Sequence, residues 1–320
     1  MPMDGSIEDH PATFSGRSIG GMNQHFGPVT PTLATWRLPD IFDEGREPDA
    51  AQMLAEYFRR RQNGRVCFSG ARFERLGGGG DRKADANRFT ADDFLAVSML
   101  GVDVPAHGAL VLMGDSNPDV AKKISELLGK LPCDLHLADA DLTIPSGQDG
   151  EHYTVMDELW KLVMNFEGTE LCGQNPGVGA TKTSKLLARK RPHLFPVLDS
   201  MVKKAVTPAK KPTYNGAFFW RTLHHELTKD ERRLESGLRE IRRLAGELLK
   251  EDLSDISDIR VFDIISWMTA KTYTWEPEDT ECPRTKDQRE AAHGAVGKLP
   301  AARPGPYPRI PVPIVALRSP

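Results

Sequence analysis

The sequence predicts an all-α protein, and three features of the chain point to that fold class. Apolar residues recur at helical spacing in one segment after another between residues 47 and 276. Capping residues or prolines stand ahead of several of these segments, where helices begin. Apolar runs that could form strands, such as the one around Cys67, are all short. We therefore expect a helical domain over residues 47–276.

The predicted helices follow from their local patterns. The first begins at Pro48 and places four large apolar residues on one face, namely Met53, Leu54, Tyr57 and Phe58. Thr90 begins a capping box for the second, since an acid stands three residues later. Helical periodicity continues over residues 119–131, 154–166, 180–191, 198–206 and 215–227. Further along, Thr228 is predicted to cap a charged helix that ends near Lys250, and Ser257 to cap an apolar one.

The two ends of the chain lack this periodicity. Residues 1–46 are rich in Gly, Pro, Ser and Thr, so we predict that they are mostly disordered, with residues 33–42 docked on the domain. Residues 277–320 form a polar and Pro-rich tail, in which the prolines prevent helix formation. The domain is thus expected between two segments that contribute little to its core.

Composition and charge exclude several classes of function. The chain has 320 residues and a net charge of −3, so any surface that binds an anionic polymer must be a local patch. Its four cysteines lie in no zinc or iron–sulfur spacing, so we predict no metal site, no cofactor and a reducing compartment. The first residues do not resemble a signal peptide, and no run of about 18 apolar residues occurs. We expect a cytoplasmic protein without membrane contact.

A short glycine motif, Gly177-Val178-Gly179, lies directly before the helix predicted over residues 180–191. Amide groups at such a helix start can hold a phosphate, and glycine lets the phosphate approach closely. Three interpretations remain open at this point: a nucleotide-binding phosphate loop, a plain turn between helices, or a helix-hairpin-helix motif that binds DNA. The first is disfavoured because Thr181, not glycine, precedes Lys182. The third requires a helix on each side, as the pattern over residues 154–206 predicts.

The charge near this motif favours nucleic acid. Between residues 180 and 211, one carboxylate, Asp199, is accompanied by nine basic residues: Lys182, Lys185, Arg189, Lys190, Arg191, Lys203, Lys204, Lys210 and Lys211. Lysine and arginine neutralise phosphates without reading the base sequence. We therefore predict that double-stranded DNA is contacted by Gly177, Val178, Gly179, Thr181, Lys182 and Lys185.

The segment resembles the helix-hairpin-helix DNA glycosylase superfamily (HhH-GPD), to which endonuclease III belongs. The family pattern couples a GVG-type hairpin to an aspartate in the context P-x-x-D-[ST]-x-V at the start of the next helix. This chain has Gly177-Val-Gly and Pro196-Val-Leu-Asp199-Ser-Met-Val, and Asp199 follows Gly177 by 22 residues. The resemblance covers residues 154–206. It implies an all-α fold of two lobes, with a DNA-facing cleft that takes up a flipped nucleotide.

The resemblance also implies that Asp199 is the catalytic aspartate. Hydrolysis of an N-glycosidic bond develops positive charge on the sugar, and a fixed carboxylate stabilises that charge and orients the attacking water. An aspartate at this place also suits the N-cap of the next helix, so both roles stay open. The lysine of strand-cleaving relatives falls on Thr181 here, and the cysteines of the endonuclease III cluster are missing. We therefore predict a monofunctional enzyme.

Four further residues are candidates for the pocket of the extruded base: Phe68, Arg72, Phe73 and Trp220. Aromatic rings stack on a flipped base, and arginine reaches a phosphate or a base edge. The predicted function is excision of a modified or damaged base from DNA, in base-excision repair or in defence against modified phage DNA, without a protein partner. The alternative is a non-catalytic helix-hairpin-helix DNA-binding protein, in which Asp199 is only a helix cap.

Overall fold

A computed structural model describes residues 36–61, 64–143, 150–174, 177–207, 216–274, 282 and 284–285. Ten α-helices dominate these ranges, so the predicted all-α class is confirmed. They are α1 (Glu47–Phe58), α2 (Ala91–Ser98), α3 (Ala106–Met113), α4 (Pro118–Gly129), α5 (Glu151–Asn165), α6 (Ala180–Lys190), α7 (Ser200–Val206), α8 (Gly216–Thr228), α9 (Arg233–Leu249) and α10 (Asp258–Ala270). Two-residue strands β1 (Tyr273–Thr274) and β2 (Arg284–Thr285) pair antiparallel. Among the described residues, no helix has both the length and the apolar character that crossing a membrane requires.

Residues 36–42 lie against the helical domain. The ring of Trp36 meets Phe219 edge to face, with centroids 5.1 Å apart. Phe42 is buried and stacks on Phe262 of α10 at 5.2 Å. Residues 1–35 of the predicted disordered segment lie outside the described residues, and so does the predicted Pro-rich tail apart from Cys282 and strand β2.

Two helices begin at the capping residues that the sequence predicts. Thr90 and Asp93 form the full capping box of α2, in which the Thr90 amide donates to Asp93 Oδ2 at 2.8 Å. The Ser257 hydroxyl accepts a hydrogen bond from the Arg260 amide at 3.2 Å and so caps α10. In both cases a side-chain oxygen satisfies an amide that has no partner within the helix.

The predicted cap at Thr228 is wrong. Thr228 is the last residue of α8, and its hydroxyl donates back to the His224 carbonyl at 2.8 Å. A short 3-10 turn over Asp230–Arg232 follows, and α9 begins after it without a side-chain cap. The hydroxyl that would have capped α9 is therefore already engaged within the preceding helix.

Helix α3 has no counterpart among the predicted helices. Its sequence, AHGALVLM, is apolar almost throughout, so it lacks the polar face from which helical periodicity is recognised. It starts directly after Pro105 and ends at Gly114, whose φ of +86° is the left-handed conformation that favours glycine. Composition alone does not separate such a helix from a buried strand.

Residues of α6, of α10 and at the start of α7 line the candidate functional site. Helix α10 is almost wholly buried and packs against α1, α7 and α9. Helix α6 packs against α2 and α5. The loop between α6 and α7 is anchored in the core by Leu194, Phe195, Val197 and Leu198. This packing places the start of α7 close to the interior faces of α6 and α10.

A disulfide joins Cys67 to Cys282, which are 215 residues apart in the sequence. Cys133 and Cys172 are free thiols. Disulfides persist chiefly in oxidising compartments, so this bond does not fit the reducing compartment expected from cysteine spacing. The cytoplasmic location stays a prediction. Spacing reveals local ligand motifs, but it carries no signal for a bond between residues so far apart.

Candidate active site

A cavity of about 280 Å³ opens beside the start of α7. Four charged side chains from α6, the N-cap of α7 and α10 line it: Lys185, Asp199, Arg260 and Asp263. Much of the remaining wall is apolar or aromatic and includes Tyr57, Phe68, Leu100, Val197, Ile264 and Trp267. An apolar pocket with a few converging charged groups is the usual form of an active site or small-molecule site.

Asp199 is both the N-cap of α7 and part of the cavity wall. Its Oδ1 accepts hydrogen bonds from the amides of Met201 and Val202, at 2.8 and 2.9 Å. Both bonds use the same oxygen, so Oδ2 takes no part in capping. The loop that carries Asp199 is fixed to α6, because the Ser184 hydroxyl accepts from the Leu198 amide at 3.0 Å. The two roles that the sequence leaves open are therefore geometrically compatible in one side chain.

Lys185 lies inside the domain rather than on an outer surface. It is 2% exposed, and its Nζ donates to the Leu100 carbonyl at 2.8 Å. Burial lowers the pKa of Lys185, while Asp199 and Asp263 act in the opposite direction. This placement corrects the prediction that Lys185 contacts DNA phosphates at the surface, since position 185 is on the buried side of α6. Its side chain instead lines the cavity beside Asp199.

Arg260 and Asp263 belong to a buried charge network at the cavity wall. The Arg260 guanidinium donates to Asp263 Oδ2, to Glu74 Oε1 and to the Tyr57 hydroxyl, the last at 3.1 Å. Burial raises the pKa of Asp263 to about 7, against the lowering effect of Arg260 and with a further increase from Asp199. Burial likewise raises the pKa of Tyr57 to about 12. Arg260 and Asp263 were not among the predicted site residues, although opposite charges three residues apart in an apolar helix are a signal for such a pair.

One of the four predicted pocket residues, Phe68, lines the cavity. Its ring stacks on Tyr57 with centroids 5.1 Å apart and planes 9° apart. Trp267 meets Phe68 edge to face at 5.8 Å, and Tyr273 of β1 does so at 5.2 Å. Tyr57, Phe68 and Trp267, which all line the cavity, thus form an aromatic wall on one side of it.

The other three predicted pocket residues, Arg72, Phe73 and Trp220, lie away from the described lining of the cavity. Arg72 is exposed, and Phe73 is 2% exposed beneath the guanidinium of Arg260. Trp220 is in the core, with its ring 5.3 Å from Trp160. Residue type suggested a pocket for all three, but tertiary packing turns them elsewhere.

The glycine motif has a backbone conformation that favours glycine at its first position. Gly177 has a φ of +68°, and a Cβ added there would come within 2.5 Å of Pro105. Val178 is 1% exposed, so its side chain belongs to the core and only its backbone is available to a ligand. Gly179 is the N-cap of α6, and no side chain caps that helix. The helix-hairpin-helix motif itself stays a prediction, because residues 175–176 lie outside the described residues.

Thr181 and Lys182 occupy the first turn of α6. The Thr181 carbonyl accepts from the Ser184 hydroxyl at 2.9 Å. Lys182 folds back, and its Nζ donates to the Gly177 carbonyl at 2.8 Å while the side chain stays partly exposed. The motif is therefore braced by its own lysine, which remains beside the amides that the sequence predicts to bind phosphate.

The basic residues at the end of α6 do not form the nucleic-acid-binding surface that the charge pattern predicts. Arg189, Lys190 and Arg191 are 3%, 0% and 1% exposed. Lys190 pairs with Asp93 at 2.5 Å. The three side chains also donate to backbone carbonyls, among them those of Leu76, Gly80, Ala86 and Leu128. These cations hold the interior together and form no DNA-facing patch; Lys204 is exposed, and the last two lysines of the run lie outside the described residues.

A second cluster has the composition of a metal site, since ligand atoms of His136, Glu235 and Asp258 lie within 4.8 Å of one another. Both carboxylates are already paired with arginine, Glu235 with Arg239 at 2.5 Å and Asp258 with Arg242 at 2.9 Å. The arginine charges oppose a further cation at this place. The cluster is thus explained as a buried ion-pair network, and the absence of a metal site stays a prediction.

No curated protein and no solved structure matches the chain. Residues 50–270, more than half of the chain, match a protein family described as "Family of unknown function (DUF6308)". The matched range includes the glycine motif and the four charged residues of the cavity, and it ends before Cys282. The chain therefore belongs to the DUF6308 family.

Proposed function

We propose that the protein is a monofunctional DNA glycosylase, which extrudes a modified or damaged base and hydrolyses its N-glycosidic bond. The observation that carries this proposal is the position of Asp199. It follows Gly177 by 22 residues, caps α7 through one oxygen and lines the cavity. A residue that served only as a cap would need no cavity beside it. The cavity therefore favours the enzyme over the non-catalytic DNA-binding protein.

In the proposed reaction, the bond between the sugar C1′ and the base nitrogen breaks, and its electron pair leaves with the base. Positive charge develops on the sugar, and the Asp199 carboxylate stabilises it. Water attacks C1′, and its proton passes to Asp199. The cap and the bond between Ser184 and Leu198 support this role, because a carboxylate that is already held in place need not reorganise during the reaction.

The aromatic wall suits an extruded base. Enzymes that act on a flipped base hold it by stacking against aromatic or apolar side chains and by hydrogen bonds to its edge. Phe68 and Trp267 provide ring surfaces at this cavity, and Lys185 provides a hydrogen-bond donor. The volume of about 280 Å³ is near the lower end of the range for small-molecule sites.

Phosphates would be held by the backbone of the glycine motif and by exposed lysines, since the basic residues at the end of α6 are buried. The uncapped N-terminus of α6 presents amides, and the helix dipole favours negative charge there. Lys182 and Lys204 keep exposed surface. This mode of binding uses fewer exposed cations than the sequence suggested, which is consistent with a chain whose net charge is −3.

The monofunctional assignment rests on Thr181, which stands where strand-cleaving relatives have lysine. Lys185 reaches the cavity, but its amine donates to the Leu100 carbonyl. We expect the product to be an intact strand with an abasic site, so borohydride should trap no covalent protein–DNA adduct. A trapped adduct that Lys185→Ala abolishes would replace this assignment with a lyase.

The proposed function is tested by excision assays with the wild type and two variants, Asp199→Asn and Asp199→Ser. Asparagine and serine both cap helices but carry no charge. DNA duplexes with diverse modified bases are incubated with each protein, and alkali then reveals abasic sites. We expect the wild type to excise at least one base and both variants to lose about 100-fold or more in rate, with DNA affinity unchanged or higher.

Two outcomes would contradict the proposal. If the wild-type protein excised no base from a broad panel of modified duplexes, the assignment as a glycosylase would be overturned. Variants that excise as fast as the wild type would leave Asp199 as a helix cap only. The identity of the excised base decides between repair of damaged DNA and defence against modified phage DNA.

A further inference from the structure

The cavity holds a second carboxyl group, Asp263, in surroundings that differ from those of Asp199. Asp263 is 2% exposed, whereas Asp199 keeps contact with solvent. Oδ2 of Asp263 accepts a hydrogen bond from Arg260, which leaves Oδ1 outside that pair. One carboxyl group thus lies in the dry part of the site, and the other lies where water has access. Two carboxyl groups in different environments are the usual basis for separate acid and base roles.

The charged groups that face Asp263 come from several elements. Arg260 of α10 and Lys185 of α6 are positive, and Asp199 before α7 is negative. Arg260 is shared with two further groups, Tyr57 of α1 and Glu74. Burial and the nearby Asp199 carboxylate raise the pKa of Asp263, whereas Arg260 and Lys185 lower it. The resulting pKa of Asp263 is about 7. A carboxyl group in this state carries a proton near neutral pH and can donate it.

We propose that Asp263 is the general acid that protonates the departing base, and that the substrates are uncharged modified bases. This inference rests on the proposed function. The Asp263 proton moves to an acceptor atom of the base while the C1′–N bond breaks and its electron pair goes to the base. Water adds its hydroxyl group to C1′ and gives its proton to Asp199. Transfer of that proton through water from Asp199 to Asp263 restores both groups.

The choice of an uncharged base follows from the cavity wall. With Asp263 protonated, the charged groups that line it are two cations, Lys185 and Arg260, and one carboxylate, Asp199. The excess of positive charge disfavours a cationic base, because charges of the same sign repel strongly in a site with little water. A base made cationic by alkylation leaves as a neutral molecule and needs no acid. An uncharged base leaves as an anion unless it is protonated, so it benefits from Asp263.

The experiment measures single-turnover excision between about pH 5 and pH 9 by the wild type, Asp263→Asn and Asp199→Asn. The substrates are duplexes with uncharged modified bases and one with 7-methylguanine as the cationic base. For uncharged bases we expect the wild-type rate to be highest below pH 7 and to fall about tenfold per pH unit above it, as Asp263 loses its proton. Asp263→Asn should be about 100-fold slower at acidic pH, without the fall at alkaline pH. Asp199→Asn should be slow but keep that fall.

The possible failures are distinguishable. Wild-type protein that excises nothing overturns the proposed function. If Asp199→Asn loses excision but Asp263→Asn matches the wild type in rate and pH profile, only the role of Asp263 is overturned. Preferred excision of 7-methylguanine overturns the substrate class. Thermal unfolding shows whether Asp263→Asn is folded; if it is not, the wild-type profile decides, and a rate that does not fall above pH 7 overturns the proposal.

Discussion

The two ends of helix α6 carry the same kind of side chain and use it in opposite ways. In the first turn, Lys182 stays partly exposed and braces the glycine motif. In the last turn, residues 189–191 are buried and bind carbonyl groups of loops far away in the sequence. Lys185, between them, lines the cavity. The role of a cation is therefore set by the acceptors that the rest of the chain brings to it, rather than by its local sequence.

The largest loss of stability is expected from Arg191→Met, at the buried end of α6. Its guanidinium donates to the carbonyls of Ala86 and Leu128, and methionine would leave these buried acceptors without a donor. We expect the free energy of unfolding to fall by about 3–5 kcal/mol, measured by urea denaturation. Lys182→Met is the matched control at the other end of the helix and should cost less than about 1 kcal/mol. Similar losses in both variants would contradict the contrast between the two ends.

A smaller effect is expected from alanine substitutions in the glycine motif. Gly177→Ala places a Cβ against Pro105 at a positive φ, so it should lower the free energy of unfolding by about 1–3 kcal/mol. Gly179→Ala is the control, since its φ of −75° is ordinary and no atom lies within 4 Å of an added Cβ. It should cost less than about 1 kcal/mol. Equal losses in urea denaturation would show that Gly177 is not constrained in this way.

The smallest expected effect is on the salt dependence of DNA affinity, which should differ between an exposed and a buried lysine. Lys204→Ala should reduce the slope of log affinity for DNA against log salt concentration by about one, because an exposed cation releases a counterion. Lys185→Ala should leave the slope unchanged and slow excision instead, since its amine lies in the interior. Binding titrations at several salt concentrations measure both. A slope that falls with Lys185→Ala would place that lysine at a phosphate after all.

These differences also show which parts of the molecule local sequence can predict. Caps such as Thr90 and Ser257 act over three residues, so their patterns identified two helix starts correctly. Asp199 was found as an N-cap for the same reason. The cavity was not predictable, because Arg260 and Asp263 meet Lys185 only through the packing of α10 near α6. The basic residues at the end of α6 were wrongly taken to favour nucleic acid, because Arg189 and Lys190 bind carbonyls about 110 residues earlier in the chain.

The Cys67–Cys282 disulfide closes a covalent ring that contains helices α2 to α10 and with them both cavity aspartates. A protease that cuts the backbone at one place inside this ring produces a nicked chain that is still a single molecule. The two fragments would separate on a denaturing gel only after reduction. A ring of 215 residues also restricts the unfolded chain, which in the chain-entropy account is worth about 5 kcal/mol of stability. The segments that form the cavity thus stay covalently linked after a single break in the backbone within the ring.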